Sequence, residues 1–220
     1  MKIRKIVDLS WPITNDTPIY PGDPIVRVSL FSTIESLGYN LSSLELGTQT
    51  GTHVDAPYHL NHDTETIDRM PLSQFFGEAV MIDVSFLGEL EQITVSHISP
   101  YETMLKGKRI VMFKTGWDKY VRTEKYLRHP YLSISACEYL LDLGVNLLCV
   151  DTLNLDMTYG AVKFPVHELC AIRTAIIAEN MCNFGAVDFD NPIISVFPLN
   201  IVGCDGSPVR AVAIDCDFGG

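Results

Sequence analysis

The sequence predicts an α/β fold in which strands dominate. Short β-branched apolar runs bounded by turn residues recur along the chain, and Ser-x-x-Glu patterns open helices between some of them. No regular strand–helix–strand repeat organises them. In order, the runs that read as strands are 5–10 (KIVDLS), 25–31 (IVRVSLF), 78–85 (EAVMIDVS), 109–116 (RIVMFKTG), 145–152 (VNLLCVDT), 193–203 (IISVFPLNIVG) and 209–218 (VRAVAIDCDF). Near-continuous hydrophobic runs of this kind favour burial on both faces of a sheet. Ser99 and Ser135 each stand three residues before a Glu, Glu102 and Glu138, as in a capping box, and Gly144 is a natural stop for the second helix. A further short helix opens near 165–170 (PVHELC), ahead of the apolar run 174–180 (TAIIAEN), while GDP, DGSP and NP segments mark connections.

The length of 220 residues suits one substantial domain, and 47% hydrophobic with 20% charged residues is an ordinary globular balance. No low-complexity tract, internal repeat or Pro/Ser-rich linker divides the chain. A net charge of −11, with basic residues gathered only in small groups at 2–5 and 106–109, offers no phosphate-binding stripe and argues against nucleic acid as a partner. The first residues lack the apolar core of a signal peptide, and no apolar run approaches the ~18 to 20 residues that span a bilayer. A soluble cytoplasmic protein with no membrane contact is the expectation. The six cysteines (137, 149, 170, 182, 204 and 216) are dispersed among apolar segments without a C-x-x-C pair, so they read as reduced thiols rather than disulfides or zinc ligands.

The stretch 47–60 (GTQTGTHVDAPYHL) has no helical period. Its polar side chains Gln49, His53, Asp55 and His59 fall on alternate positions, which an extended chain projects from one face. Gly51 and Pro57 make the alternation approximate. Imidazole and carboxylate held close together suit a divalent transition metal with a position left for water. His53 and Asp55 supply both, Asp55 has oxygens enough to bridge, and His59 can instead stay unligated and move protons. The plainer alternative is an H-x-D pair hydrogen-bonded within a turn, since three-residue motifs recur by chance.

Segment 49–59 (QTGTHVDAPYH) resembles the signature H-x-G-T-H-x-D-x-P-x-H of the cyclase family of metal-dependent hydrolases, which includes bacterial kynurenine formamidase (arylformamidase) and isatin hydrolase. Gly51, Thr52, His53, Asp55, Pro57 and His59 match. The amino-terminal DLS…PGDP, the internal TGW, the DT after 145–150 and the closing FPL…GSPVRA are similar to further family patterns, so the resemblance covers nearly the whole chain. It implies a mixed-sheet swivelling β/β/α-type single domain over 1–220, with His53, Asp55, His167 and Glu179 as metal ligands and His59 as the acid/base. His167 and Glu179 stand twelve positions apart, the spacing of the family's distant ligands. The resemblance also implies a homodimer or homotetramer.

Gln49 stands where the family has its first His. Three outcomes are open: Gln49 ligates through oxygen and favours manganese over zinc, water fills the position, or one metal binds instead of two. Asn154, where relatives often carry Ser, is a second local difference. The function expected is metal-assisted hydrolysis of an amide, lactam or ester in a small aromatic substrate, with zinc or manganese, one or two ions per chain, and no organic cofactor. Tyr20, Tyr58 and Trp117 are candidates for an aromatic wall. A metal-stabilised binding or scaffold protein without turnover is the competing expectation. Gln49 supports it, and His59, which a purely structural metal site does not require, weighs against it.

Overall fold

The computed structural model describes residues 2–217. In chain order the elements begin with β1 (Lys2–Asp8), β2 (Arg27–Ser32), the one-turn α1 (Ile34–Leu37), β3 (Leu41–Glu45), β4 (His53–Asp55) and β5 (Phe76–Asp83). There follow β6 (Gln92–Ile93), α2 (Val95–Ile98), α3 (Glu102–Leu105), β7 (Ile110–Lys114), β8 (Tyr131–Leu132) and α4 (Ile134–Asp142). The chain continues through β9 (Leu147–Val150), α5 (Pro165–Ile172), β10 (Ile176–Glu179), β11 (Ile193–Ser195), β12 (Gly206–Pro208) and β13 (Val212–Asp217).

One nine-stranded sheet, ordered β1-β13-β11-β5-β7-β9-β10-β4-β12, frames the molecule. Its centre, β5-β7-β9-β10, is parallel, and its flanks are antiparallel. The central strands are the continuous apolar runs of the sequence, and they are buried on both faces as that pattern requires. Val111, Phe113, Leu148, Val150 and Ile177 point to one side, where α4 and α5 cover them with Ala136, Leu140, Val166 and Cys170. The alternate residues Ile110, Met112, Leu147, Cys149, Ile176 and Ala178 point to the other. There they share a core with Val7, Val54, Ile194 and Ala213, so both flanks of the sheet close over the same apolar centre. Backbone bonds from Leu9 to Ala211 and from Cys182 to Leu9 tie those flanks together.

The expected strands form with several differences. Only Ile193–Ser195 of the run 193–203 is strand, because Pro198 cannot continue a ladder and the chain turns away before it. Segment 25–31 supplies β2, but β2 pairs only with β3 in a separate two-stranded arm. Leu30 and Phe31 are 64% and 66% exposed there, so this apolar run is not core. The last strand, expected over 209–218, is β13 from Val212 to Asp217, and Phe218 lies outside the described residues.

The helix caps are shifted. Ser133, not Ser135, caps α4: its backbone is extended and its side chain accepts from Ala136 N–H, whereas Ser135 already lies within the helix. Gly144, at φ 93°, ends it as expected. Ser99 is likewise already helical, so it cannot act as an N-cap; the capping box is Thr94 with His97. Glu102 accepts from the Tyr139 hydroxyl at 2.6 Å, which ties the segment to α4.

His129 is fully buried, with Nδ1 donating to Pro130 O at 2.7 Å and Nε2 accepting from Thr158 Oγ1 at 2.8 Å. Burial lowers its pKa to about 4, so the fold holds it neutral. Because the folded value lies below the unfolded one, the stabilisation is complete above the ordinary histidine pKa and is lost as pH falls toward the folded value. At 1.36 kcal/mol per unit this amounts to about 3 kcal/mol. Urea denaturation of wild type and His129→Gln at about pH 7.5 and about pH 4.5 checks it: the acid-induced loss of stability is expected to be smaller in the variant by that order.

Candidate metal centre

Strand β4 lies between β10 and β12, and the register sets His53 opposite Glu179 and Asp55 opposite Gly206. His53 and Asp55 share one face of β4, while Val54 between them enters the core. The expected alternation therefore holds within the strand and stops at its ends. Gly51, at φ 64°, turns the chain in, where an added Cβ would crowd Thr17 at 3.3 Å. At the other end Pro57 opens a 3₁₀ turn, Pro57–His59, that swings His59 out of line. Helix α5 brings His167. Its first residues follow Phe164, whose side chain offers no cap, and Asp156 takes that role by accepting from Val166 N–H and His167 N–H at 3.0 Å each.

Four side chains converge. His53 Nε2 lies 3.4 Å from Asp55 Oδ1 and 3.4 Å from Glu179 Oε1. His167 Nε2 lies 3.4 Å from Asp55 Oδ2 and 3.4 Å from Glu179 Oε2. Each carboxylate thus presents one oxygen to each imidazole. Their orientation is fixed from behind: His53 Nδ1 donates to Gly51 O at 2.8 Å, and His167 Nδ1 donates to Asp156 Oδ2 at 2.8 Å. Asn180 Nδ2 donates to the same Gly51 carbonyl at 3.1 Å, and Leu155 N–H donates to Glu179 Oε2 at 3.0 Å.

The set fits a metal. His53, Asp55, His167 and Glu179 are each no more than 5% exposed, yet His53 Nε2 and both Asp55 oxygens have no hydrogen-bond partner. Bare buried polar atoms are costly unless something else satisfies them. Ligands held tetrahedrally at about 2.1 Å from an ion stand about 3.4 Å apart, the spacing seen here. His53, Asp55 and Glu179 alone place one donor atom each within 4.8 Å of the others. Without a cation the imidazoles would take protons. Burial opposes charge on His53, but the Glu179 and Asp55 carboxylates outweigh it and raise its pKa to about 9. His167 is likewise lifted by Asp156, Asp55 and Glu179 against its burial, and Glu179 is pulled well below the usual carboxylate range against its own.

His53, His167 and Glu179 border a cavity of about 370 Å³, with Tyr20, Asp23, Gln49, His59, Asn154 and Phe164 also on its wall. That volume suits a small organic molecule. Tyr20 meets Phe164 edge to face at 5.9 Å, and Phe164 meets His167 at 6.1 Å. Of the three expected aromatics only Tyr20 lines the cavity. Trp117 packs behind it with Tyr126 and Leu153, donating Nε1 to Lys125 O, and Tyr58 is turned off the wall by the 3₁₀ turn. Gln49 borders the cavity, but its amide nitrogen donates to Asp205 Oδ2 at 3.0 Å, and His59 Nδ1 reaches the same oxygen at 2.9 Å. Phe164, Asp156 and Asp205 were not among the expected residues.

The family described as "Putative cyclase" matches residues 7–157. This chain belongs to the cyclase family. It is 30% identical over 214 residues to the kynurenine formamidase of Bacillus anthracis, covering 96% of this chain and 98% of that protein. Among solved structures it superposes on an isatin hydrolase bound to the product analogue thioisatinate, with a TM-score of 0.87 at 22% identity, over 97% of this chain and 93% of that one. Isatin hydrolase A from Labrenzia aggregata, bound to benzyl benzoate, gives 0.86 at 23% identity over 97% and 94%. The mixed α/β architecture of this cyclase-family chain is thus that of its structural neighbours.

Asp156→Asn is expected to weaken metal binding about 10- to 100-fold, the usual cost of losing the carboxylate behind a ligating imidazole. Competition with a chromophoric chelator measures it. Unchanged affinity would show that His167 needs no such support.

Proposed function

We propose that this chain is a metal-dependent hydrolase of carbon–nitrogen bonds in small aromatic amides, formamides or lactams, with ester hydrolysis open to the same site. The observation that carries this is the trio of bare, buried atoms, His53 Nε2 and Asp55 Oδ1 and Oδ2, grouped with His167 and Glu179 beside a cavity that His53, His167 and Glu179 line and aromatic rings partly wall. The kynurenine formamidase and isatin hydrolase names of its relatives support the aryl formamide and lactam classes.

His53, Asp55, His167 and Glu179 would hold the metal. When bound, a divalent ion there supplies Lewis acidity toward a carbonyl oxygen and lowers the pKa of water. The imidazole and carboxylate donors suit zinc or manganese. The even sharing of both carboxylates between two imidazoles supports room for a second ion. Engagement of the Gln49 amide by Asp205 favours a centre that draws nothing from position 49.

The chain's own residues then carry the organic part of the reaction. Tyr20 and Phe164 stack against an aromatic substrate and shield the carbonyl from bulk water. His59, with Nδ1 occupied by Asp205, has Nε2 free to hold a proton at the cavity and pass it to the departing nitrogen. Without that proton the nitrogen would leave as a poor, strongly basic anion. All six cysteines are free thiols, which supports a cytoplasmic location. No helix among the described residues is long and apolar enough to cross a membrane. The exposed apolar faces of the β2–β3 arm support a homodimer or homotetramer.

Dialysis against a chelator is expected to reduce hydrolysis of aryl formamides and lactams to background, and zinc or manganese to restore it. Turnover persisting in a verified metal-free preparation would end this reading. His59→Ala should keep its metal and lose about 100-fold or more in kcat, whereas His53→Ala should lose the metal.

A further inference from the structure

The side chain behind His59 stands outside the signature that marks the site. Asp205 Oδ2 accepts from His59 Nδ1 at 2.9 Å and from Gln49 Nε2 at 3.0 Å, while Oδ1 accepts from Thr48 Oγ1 at 2.8 Å. All the donors come from chain far in sequence from Asp205, so the contact is made only by the fold. The backbone on either side is pinned: Ala56 N–H donates to Asp205 O and Ile67 N–H donates to Cys204 O, both at 2.9 Å. Gly206 completes the construction. A Cβ there would lie 2.5 Å from Gln49 Nε2 and 2.6 Å from Val54 O, so only glycine lets the glutamine amide reach the carboxylate.

We infer that Asp205 is a positioning residue for the hydrolysis proposed above: its carboxylate holds the neutral His59 ring as the Nδ1–H tautomer, aims Nε2 at the cavity, and stabilises the imidazolium formed when Nε2 takes a proton. The inference rests on that reading for its catalytic consequence, and on geometry alone for the tautomer. It also gives position 49 a task. A carboxylate with a single partner can swing; this one accepts on both oxygens from three side chains, and Gln49 shares its oxygen with the imidazole, which fixes the direction in which the ring must face. A histidine-orienting carboxylate matters chiefly through tautomer and orientation, as the effect of replacing one by its amide in serine proteases illustrates.

The test compares wild type, Asp205→Asn and Asp205→Glu in the zinc-loaded protein. Nitrogen-15 spectra of histidine-labelled samples, taken where the His59 ring is neutral and assigned with His59→Gln, report which ring nitrogen carries the proton. Wild type is expected to be protonated at Nδ1. The asparagine amide can donate to Nδ1, so Asp205→Asn is expected to move the proton to Nε2 and lower kcat about 100-fold or more with KM within about threefold. Asp205→Glu, which keeps the charge, should retain the Nδ1–H tautomer and recover part of kcat. The inference is overturned if His59 in wild type is protonated at Nε2, or if Asp205→Asn melts at the wild-type temperature and keeps wild-type kcat. If wild type hydrolyses none of the substrates, the proposed function fails while the spectra alone still decide whether Asp205 sets the tautomer. An Asp205→Asn protein that melts early but keeps the Nδ1–H ring would assign Asp205 a purely structural role and overturn the inference as well.

Discussion

Asp55 and Glu179 carry two carboxylates to one point inside the protein, where they are 3% and 5% exposed, and the surrounding structure answers to that charge. Leaving water costs each ion several kcal/mol even after relaxation. The sheet limits other losses by pairing β4 on both sides, so the backbone of that strand is satisfied before its side chains are considered. Register then does the placing. Glu179 faces His53 across the ladder because β10 runs antiparallel to β4, and a slip of one residue would send either side chain into the apolar core where Val54 and Ala178 sit. Helix α5 closes the set with His167, and the carboxylate of Asp156 both caps that helix and holds the ring. The four side chains thus set two carboxylates and two imidazoles around one point, and Asp55, with neither oxygen hydrogen-bonded, is the member that the rest of the fold satisfies least.

The sequence shows parts of this for reasons that can be traced. His53 and Asp55 are legible because strand periodicity is local and two residues suffice to display it. His167 and Glu179 are not legible that way: twelve positions separate them, but a helix, a turn and a strand fill the interval, so no single period relates the two. Only the family pattern joined them. Asp156 lies eleven residues ahead of His167, and its one sequence signal is indirect. Pro165 opens a helix that Phe164 cannot cap, which leaves N–H groups wanting an acceptor from elsewhere. Asp205 gave no signal, since its partners Thr48, Gln49 and His59 meet it only through the β4–β12 pairing. Trp117 misleads for the opposite reason. A tryptophan beside a glycine turn looks available for a ligand, but with Tyr126 and Leu153 it forms the backing on which Tyr20 rests.

The bend at Pro57 separates side chains that the signature writes as one series. Had β4 stayed extended, His59 would have followed His53 and Asp55 on the same face, adding an imidazole to a centre already furnished with two. Ala56 is still extended, but Pro57 starts a 3₁₀ turn, and the His59 side chain emerges 32% exposed while those of His53 and Asp55 are at 4%. Its ring centre stands 6.3 Å from that of His167, on the wall of the same cavity and turned to a different carboxylate. A buried cluster that concentrates negative charge and an imidazole proposed to handle protons need different surroundings: the first must exclude water to make its electrostatics strong, and the second must reach the cavity to exchange what it carries. Position 49 goes with the second. Its amide bonds the carboxylate that also accepts from His59, so a residue that the signature would assign to the metal is built into the hydrogen-bonded surroundings of His59.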